Sequence, residues 1–186
     1  MMEKKKVVVV AGTRPEVIKM ASVYMELQRS DLLEPVFLST GQHREMLAQA
    51  FGAFNLAPDH DLKLMKPGQD LTGLTARVLQ AVGTYLEETR PDAVLVQGDT
   101  TSVLASAMAA FYQNIPVGHV EAGLRSYDVQ SPWPEEMNRR LVSPLCRWHF
   151  LPTEVSKANL LQEKICEASC HVTGNTVIDS LLWMSN

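Results

Sequence analysis

Val7-Val8-Val9-Val10-Ala11 is a β-branched run with no polar residue inside it, the pattern of a strand covered on both faces. A turn follows, and then a helix opening near Pro15-Glu16, with proline in its first turn and a carboxylate at the positive end of its dipole. Val17, Met20, Ala21, Tyr24 and Leu27 form its apolar face. The alternation then repeats. Pro35 to Ser39 predicts a second strand and His43 to Phe54 a helix, with Met46, Leu47, Ala50 and Phe54 at helical spacing, while Asn55 to Gly68 is less regular. Leu71 to Glu88 carries the clearest stripe, Leu71, Leu74, Val78, Val82 and Tyr85, and Pro91 closes it. Ala93 to Gln97, Pro116 to Val120 and Trp148 to Leu151 predict strands; Thr101 to Tyr112 and Pro134 to Leu145 predict helices. Two more helices flank a last short strand near His171-Val172. Strands alternating with helices of this length require crossovers, hence an α/β fold: a Rossmann-like, doubly wound parallel sheet with helices on both faces.

Composition narrows the function classes. The 186 residues are 46% hydrophobic and 20% charged, with a formal net charge of −4, an ordinary globular balance. Lys4-Lys5-Lys6 is the longest block of like charge, which argues against nucleic acid or an anionic membrane as partner, so an anionic ligand has to be held by local positive charge. The same lysines and the valines after them imitate a signal peptide, but the apolar stretch ends at Ala11, too short for export or for a membrane span; the expectation is a cytoplasmic protein. Three cysteines, Cys146, Cys166 and Cys170, suit a reducing compartment and read as small buried hydrophobes; their surroundings have no zinc-ligand spacing, and no metal is expected.

In an open parallel sheet, ligands bind beyond the carboxyl ends of the strands. The residues there are unusually polar: Gly12-Thr13-Arg14, Thr40-Gly41-Gln42-His43, Gly98-Asp99-Thr100-Thr101 and Glu121-Ala122-Gly123-Leu124-Arg125. No G-x-G-x-x-G follows a strand and no G-x-x-x-x-G-K-[ST] occurs, so both fingerprints of nucleotide cofactors are missing and none is expected. What remains is a cationic pair, Arg14 and Lys19, beside a helix N-terminus suited to phosphate, with Asp99 and Glu121 suited to proton transfer. Plainer roles stand beside these. Asp99 can cap the helix that follows it, Glu121 can pair with Arg125, and Glu135 and Glu136 can complement a helix dipole. His43 and His119 read as hydrogen-bonding neighbours rather than metal ligands.

Together, Gly12-Thr13-Arg14-Pro15-Glu16, Gln42 to Leu47, Gln97 to Thr101, His119 to Arg125, Ser131 to Arg139 and Thr173 to Asp179 closely resemble the bacterial non-hydrolysing UDP-N-acetylglucosamine 2-epimerases, in the same order along the chain. That family is similar to GT-B glycosyltransferases, with two Rossmann-like domains and the active site between them. The resemblance covers its N-terminal half: residues 1–174 as the N-terminal domain and 175–186 as the start of the inter-domain helix. The nucleotide-contacting C-terminal half, including a catalytic histidine, has no counterpart before Asn186. The resemblance implies interconversion of UDP-N-acetylglucosamine and UDP-N-acetylmannosamine for cell-envelope polysaccharides, by elimination of UDP to a glycal and readdition. It implies Asp99, Glu121 and Glu135 as catalytic carboxylates, Arg14, Lys19 and Arg139 as substrate-binding cations, a UDP-sugar as ligand and a homodimer. Gln42, His43 and Gln69 match part of a regulatory site found in some members, although Gly68 stands where those members have arginine. Two other outcomes stay open at this point: a hydrolysing epimerase that releases N-acetylmannosamine and UDP, and an isolated domain without activity.

Overall fold

The computed structural model describes residues 3–41, 44–64, 66 and 68–185. Among the described residues seven strands form one sheet: β1 (Lys5–Ala11), β2 (Leu33–Ser39), β3 (His60–Asp61), β4 (Ala93–Gln97), β5 (Val117–Val120), β6 (Trp148–Leu151) and β7 (Cys170–Val172). Their order is β3-β2-β1-β4-β5-β6-β7, and every neighbouring pair is parallel. The chain starts in the middle, winds outward through β2 and β3, returns to β4 and winds outward the other way. The reversal between β1 and β4 leaves a crevice at their carboxyl ends, because the connections leaving the two strands diverge to opposite faces of the sheet.

Helices α1 (Arg14–Gln28), α2 (Arg44–Ala53), α3 (Leu71–Thr89), α4 (Thr101–Tyr112), α5 (Glu135–Val142), α6 (Glu154–Gln162) and α7 (Thr176–Ser185) supply the layers. The uninterrupted Val7 to Val10 run is buried throughout because alternate residues face opposite layers. Val8 and Val10 join Val94, Val96, Val78, Val82 and Val103 in the core beneath α3 and α4. Val7 and Val9 join Val17, Met20, Phe37 and Phe51 beneath α1 and α2. The doubly wound parallel sheet expected from the sequence is therefore present, with two refinements. His60 and Asp61 pair with Leu38 and Ser39 inside the stretch that reads as irregular, since two residues are too few to show a period. The helix expected to run to Leu145 stops at Val142 and tightens into a 3₁₀ turn over Ser143–Leu145, where Pro144 has no N–H to continue the α ladder. The cysteines are free, but only Cys170 is buried; Cys146 is half-buried and Cys166 exposed, which corrects the uniform expectation.

Helix α7 lies along α1: the Ser180 hydroxyl donates to the Ile18 carbonyl at 2.6 Å and the Trp183 ring centroid is 5.3 Å from that of Phe54. Ile178, Leu181 and Met184 of the same helix remain exposed.

His119, wholly buried in β5, fastens that strand to the turn after β4, its Nε2 lying 2.7 Å from the Gly98 carbonyl, while Nδ1 has no partner among the described residues. Burial holds the imidazole pKa down to about 4; the Gly98 bond opposes that shift, and His149 and Arg125 reinforce it. The neutral ring belongs to the fold, whereas the unfolded chain takes up a proton near 6.5. Between those two values the unfolded state binds more protons, so stability falls as pH drops from about 6.5 to about 4. Urea denaturation across that range should show a loss on the order of 3 kcal/mol from this residue, and His119→Asn should flatten that part of the curve.

Candidate active site

The carboxyl edge beside the β1/β4 crevice is built from buried carboxylates. Glu16 is 3% exposed; its carboxylate accepts from the N–H groups of Gly12 at 2.6 Å and Thr13 at 3.0 Å and from the Thr100 hydroxyl at 2.8 Å. It thereby ties the turn after β1 to the turn after β4. Burial pushes its carboxyl above the usual range, and these hydrogen bonds pull the other way. Sequence reading used Glu16 only as a dipole complement. The signal that would have found it is Thr13-x-x-Glu16, the spacing of a capping box. Thr100, not Asp99, caps α4, its hydroxyl accepting from the Val103 N–H, so the plainer role for Asp99 is excluded.

Asp99 instead pairs with Arg139, Oδ2 to the guanidinium at 3.0 Å. Burial raises its carboxyl pKa, Arg139 opposes the rise, Glu135 and Glu121 add to it, and Lys19 opposes it. These interactions bring Asp99, Glu121, Glu135, Lys19 and Arg139, five of the sequence-predicted residues, into one electrostatic neighbourhood. Its backbone is fixed separately, by the Asn138 side-chain amide donating to the Asp99 carbonyl at 2.8 Å and by His119 on the preceding carbonyl.

Glu121 leaves β5 with φ of +62°, a left-handed conformation unusual for a side chain with Cβ and one that concentrates at functional sites. Its Oε2 meets the Lys19 ammonium at 2.5 Å and the Gln97 amide, which donates to the same oxygen. The expected alternative partner, Arg125, is occupied elsewhere. With its side chain wholly buried, it bonds Glu163 through Nε and a terminal nitrogen, both at 2.7 Å, and reaches the Ser143 hydroxyl at 2.9 Å. Gly123, φ +82°, permits that turn: a Cβ there would stand 2.3 Å from the Ser156 carbonyl oxygen.

Arg14, the first residue of α1, is exposed and has no ion-pair partner among the described residues. It is left available at this edge, whereas Lys19 and Arg139 are engaged by Glu121 and Asp99. Glu135 is half-buried in the first turn of α5, whereas its neighbour Glu136 is completely buried. The dipole role offered from sequence was the same for both, the resemblance singled out Glu135 alone, and the helix separates them in burial. Of the residues matched to a regulatory site, Gln42 and His43 lie outside the described residues. Gln69 accepts from the Lys66 N–H at 3.1 Å and from the Arg77 guanidinium.

The site is thus an arrangement of carboxylates and cations in which a proton can be held at Asp99 and an anion can meet Arg14. Residues 25–186 match the family model described as UDP-N-acetylglucosamine 2-epimerase. The UDP-N-acetylglucosamine 2-epimerase of Escherichia coli K12 is 54% identical over 179 residues, 96% of this chain and 48% of that protein. The crystal structure of the Neisseria meningitidis UDP-GlcNAc 2-epimerase bound to UDP-GlcNAc superposes with a TM-score of 0.93 at 54% identity, covering 95% of this chain and 48% of that one. A lipopolysaccharide outer core galactosyltransferase, 12% identical with a TM-score of 0.67 over 91% of this chain and 45% of its own, shares the fold alone. The chain spans about half the length of the curated relatives it matches. By the family match and by its fold, this chain belongs to the UDP-N-acetylglucosamine 2-epimerase family and corresponds to the N-terminal half of its members.

Proposed function

We propose that residues 1–174 form the N-terminal domain of a non-hydrolysing UDP-N-acetylglucosamine 2-epimerase, that α7 begins the connection to a second domain, and that the substrate is a UDP-sugar. The observation that carries this reading is the meeting of Asp99, Glu121 and Glu135 with Lys19 and Arg139 at the carboxyl edge of the sheet. Epimerisation at carbon 2 has to remove a proton that no adjacent carbonyl acidifies. The C2–H bond breaks as the C1–O bond to UDP breaks, the electron pair forms the C1–C2 double bond of a glycal, and UDP departs with the bonding pair of C1–O. Readdition returns a proton to the other face of carbon 2 and UDP to carbon 1. Burial raises the pKa of the Asp99 carboxyl, and we assign the proton at carbon 2 to it. Arg14 meets the diphosphate, Lys19 turns from Glu121 towards it as charge develops on the leaving oxygen, and Arg139 remains on Asp99.

Half of such a cleft neither grips the nucleotide nor excludes water, so the chain alone is expected to be inactive. Three free cysteines fit a reducing cytoplasm, where a precursor for cell-envelope polysaccharide would be made. No helix among the described residues is long and apolar enough to cross a membrane. Exposed Phe111 and Tyr112 on α4, with Met137 and Leu141 on α5, offer apolar area to a second copy. Sedimentation at increasing concentration should show a dimer, weakened by Tyr112→Glu; a monomer throughout would remove that part.

A chimera in which this chain replaces the matched half of the Escherichia coli relative is the test. In heavy water it should place deuterium at carbon 2 and yield UDP-N-acetylmannosamine, and Asp99→Asn should reduce the rate about 10²–10⁴-fold. A folded chimera without exchange, or one releasing only free N-acetylmannosamine and UDP, would overturn the assignment. Arg14→Ala in the same chimera should raise KM for the UDP-sugar about tenfold, read from initial rates, because it removes a phosphate contact and no proton-transfer group.

A further inference from the structure

Glu136 is a charged side chain at the edge of the site with no exposed surface, and the scheme above gives it no part. Its Oε2 accepts from Arg139 twice, from Nε at 3.0 Å and from a terminal nitrogen at 2.8 Å, and from the Ser126 N–H at 3.0 Å. Its Oε1 accepts from the Tyr127 N–H at 3.2 Å. Burial opposes the charge, but these four donors outweigh it and hold the carboxyl below its usual value. The backbone donors come from the loop that follows Glu121 to Arg125, and Tyr127 is itself fixed by its hydroxyl on Asn159 of α6 at 2.6 Å.

A guanidinium is a rigid plane, so fixing one edge fixes where the other edge points. Glu136, one helical turn before Arg139, takes Nε and one terminal nitrogen; the remaining terminal nitrogen lies 3.0 Å from Asp99 Oδ2. Asp99 does not depend on this contact for its own placement, because Asn138 holds its carbonyl. We propose that Glu136 is a positioning residue for the reaction: it clamps Arg139 so that the guanidinium faces Asp99, and through Arg139 it governs the protonation of the Asp99 carboxyl.

The groups that face Asp99 are Arg139 and Glu135 from α5, Glu121 from the turn after β5 and Lys19 from α1. Glu136 meets Asp99 through Arg139, whose guanidinium stands between the two carboxylates. A residue that merely braced the loop would affect stability and leave Asp99 untouched.

The deciding measurement is the titration of the Asp99 carboxyl by carbon-13 NMR in this chain, which requires no turnover. Glu136→Gln keeps the shape but turns an amide N–H₂ towards donors, loosening Arg139. The Asp99 midpoint should then rise by about one unit, the size expected when an opposing charge a few ångströms away is displaced. Arg139→Ala should raise it at least as far, and adding E136Q to Arg139→Ala should move it no further. An unmoved midpoint in folded E136Q, or an equal shift on the Arg139→Ala background, would overturn the proposal. Should E136Q not fold, Glu136→Asp, which keeps the charge and shortens the reach, should shift the midpoint in the same direction by less; no shift there would overturn it equally. In the chimera, which rests on the function proposed above, E136Q should lower kcat about ten- to hundredfold with KM within about twofold and move the acidic limb of the pH profile upward. An unaltered profile and kcat would count against the relay. A chimera inactive before any substitution would instead defeat the functional reading, leaving the titration to judge Glu136 by itself.

Discussion

A carboxylate withdrawn from water must find cations or hydrogen-bond donors to replace its hydration, and the carboxyl edge of this sheet is organised around four that have been withdrawn to different degrees. Glu16 finds backbone N–H groups and a hydroxyl, Glu121 an ammonium and an amide, Asp99 a guanidinium, and Glu136 both backbone and guanidinium. Each solution joins segments far apart in the chain. Glu16 joins β1 to β4, Lys19 with Glu121 joins α1 to β5, and Arg139 with Asp99 joins α5 to β4. The electrostatic requirement of single residues thus becomes the geometry that defines the crevice.

The four carboxylates are not equivalent, and the difference lies in what compensates them. Glu136 has enough donors to remain charged despite complete burial, so it behaves as a fixed anion on which Arg139 can be mounted. Asp99 is only partly compensated, with one cationic contact and two acidic neighbours, so its proton is held more tightly than that of an ordinary aspartate. A fixed anion and an adjustable one thus share a single guanidinium. Glu121 supplies the third element: its left-handed backbone is a conformational cost of about 1 kcal/mol that the surrounding contacts sustain.

Arg125 is a complementary case. Its position five residues after a strand made it a natural partner for Glu121, yet it is buried on Glu163 and Ser143 and braces the loop from behind. Sequence proximity proposes a partner, but the direction of each side chain decides it, and Glu121 and Arg125 leave the turn on different sides. Leaving Arg125 out of the site is what frees Glu121 to meet Lys19, more than a hundred residues earlier in the chain.

By itself the sequence determined the class of fold and where its polar strand ends gather. Valine runs, stripes at helical spacing and alternating elements leave a doubly wound parallel sheet as the arrangement that buries them all, and in that topology the polar ends of the strands share one edge. Asp99, Glu121, Arg14 and Lys19 were candidates for that reason, as residue types at predictable places, whereas Glu135 and Arg139 entered through the family resemblance. Only tertiary structure decided the pairings, the contrast between Glu135 and Glu136, the role of Glu16 and the short β3. Those depend on which face of a helix or turn is turned inward and on which distant segment lies opposite, and local periodicity carries information about the first only where apolar residues mark the inner face. A buried glutamate on an otherwise polar stretch leaves no such mark.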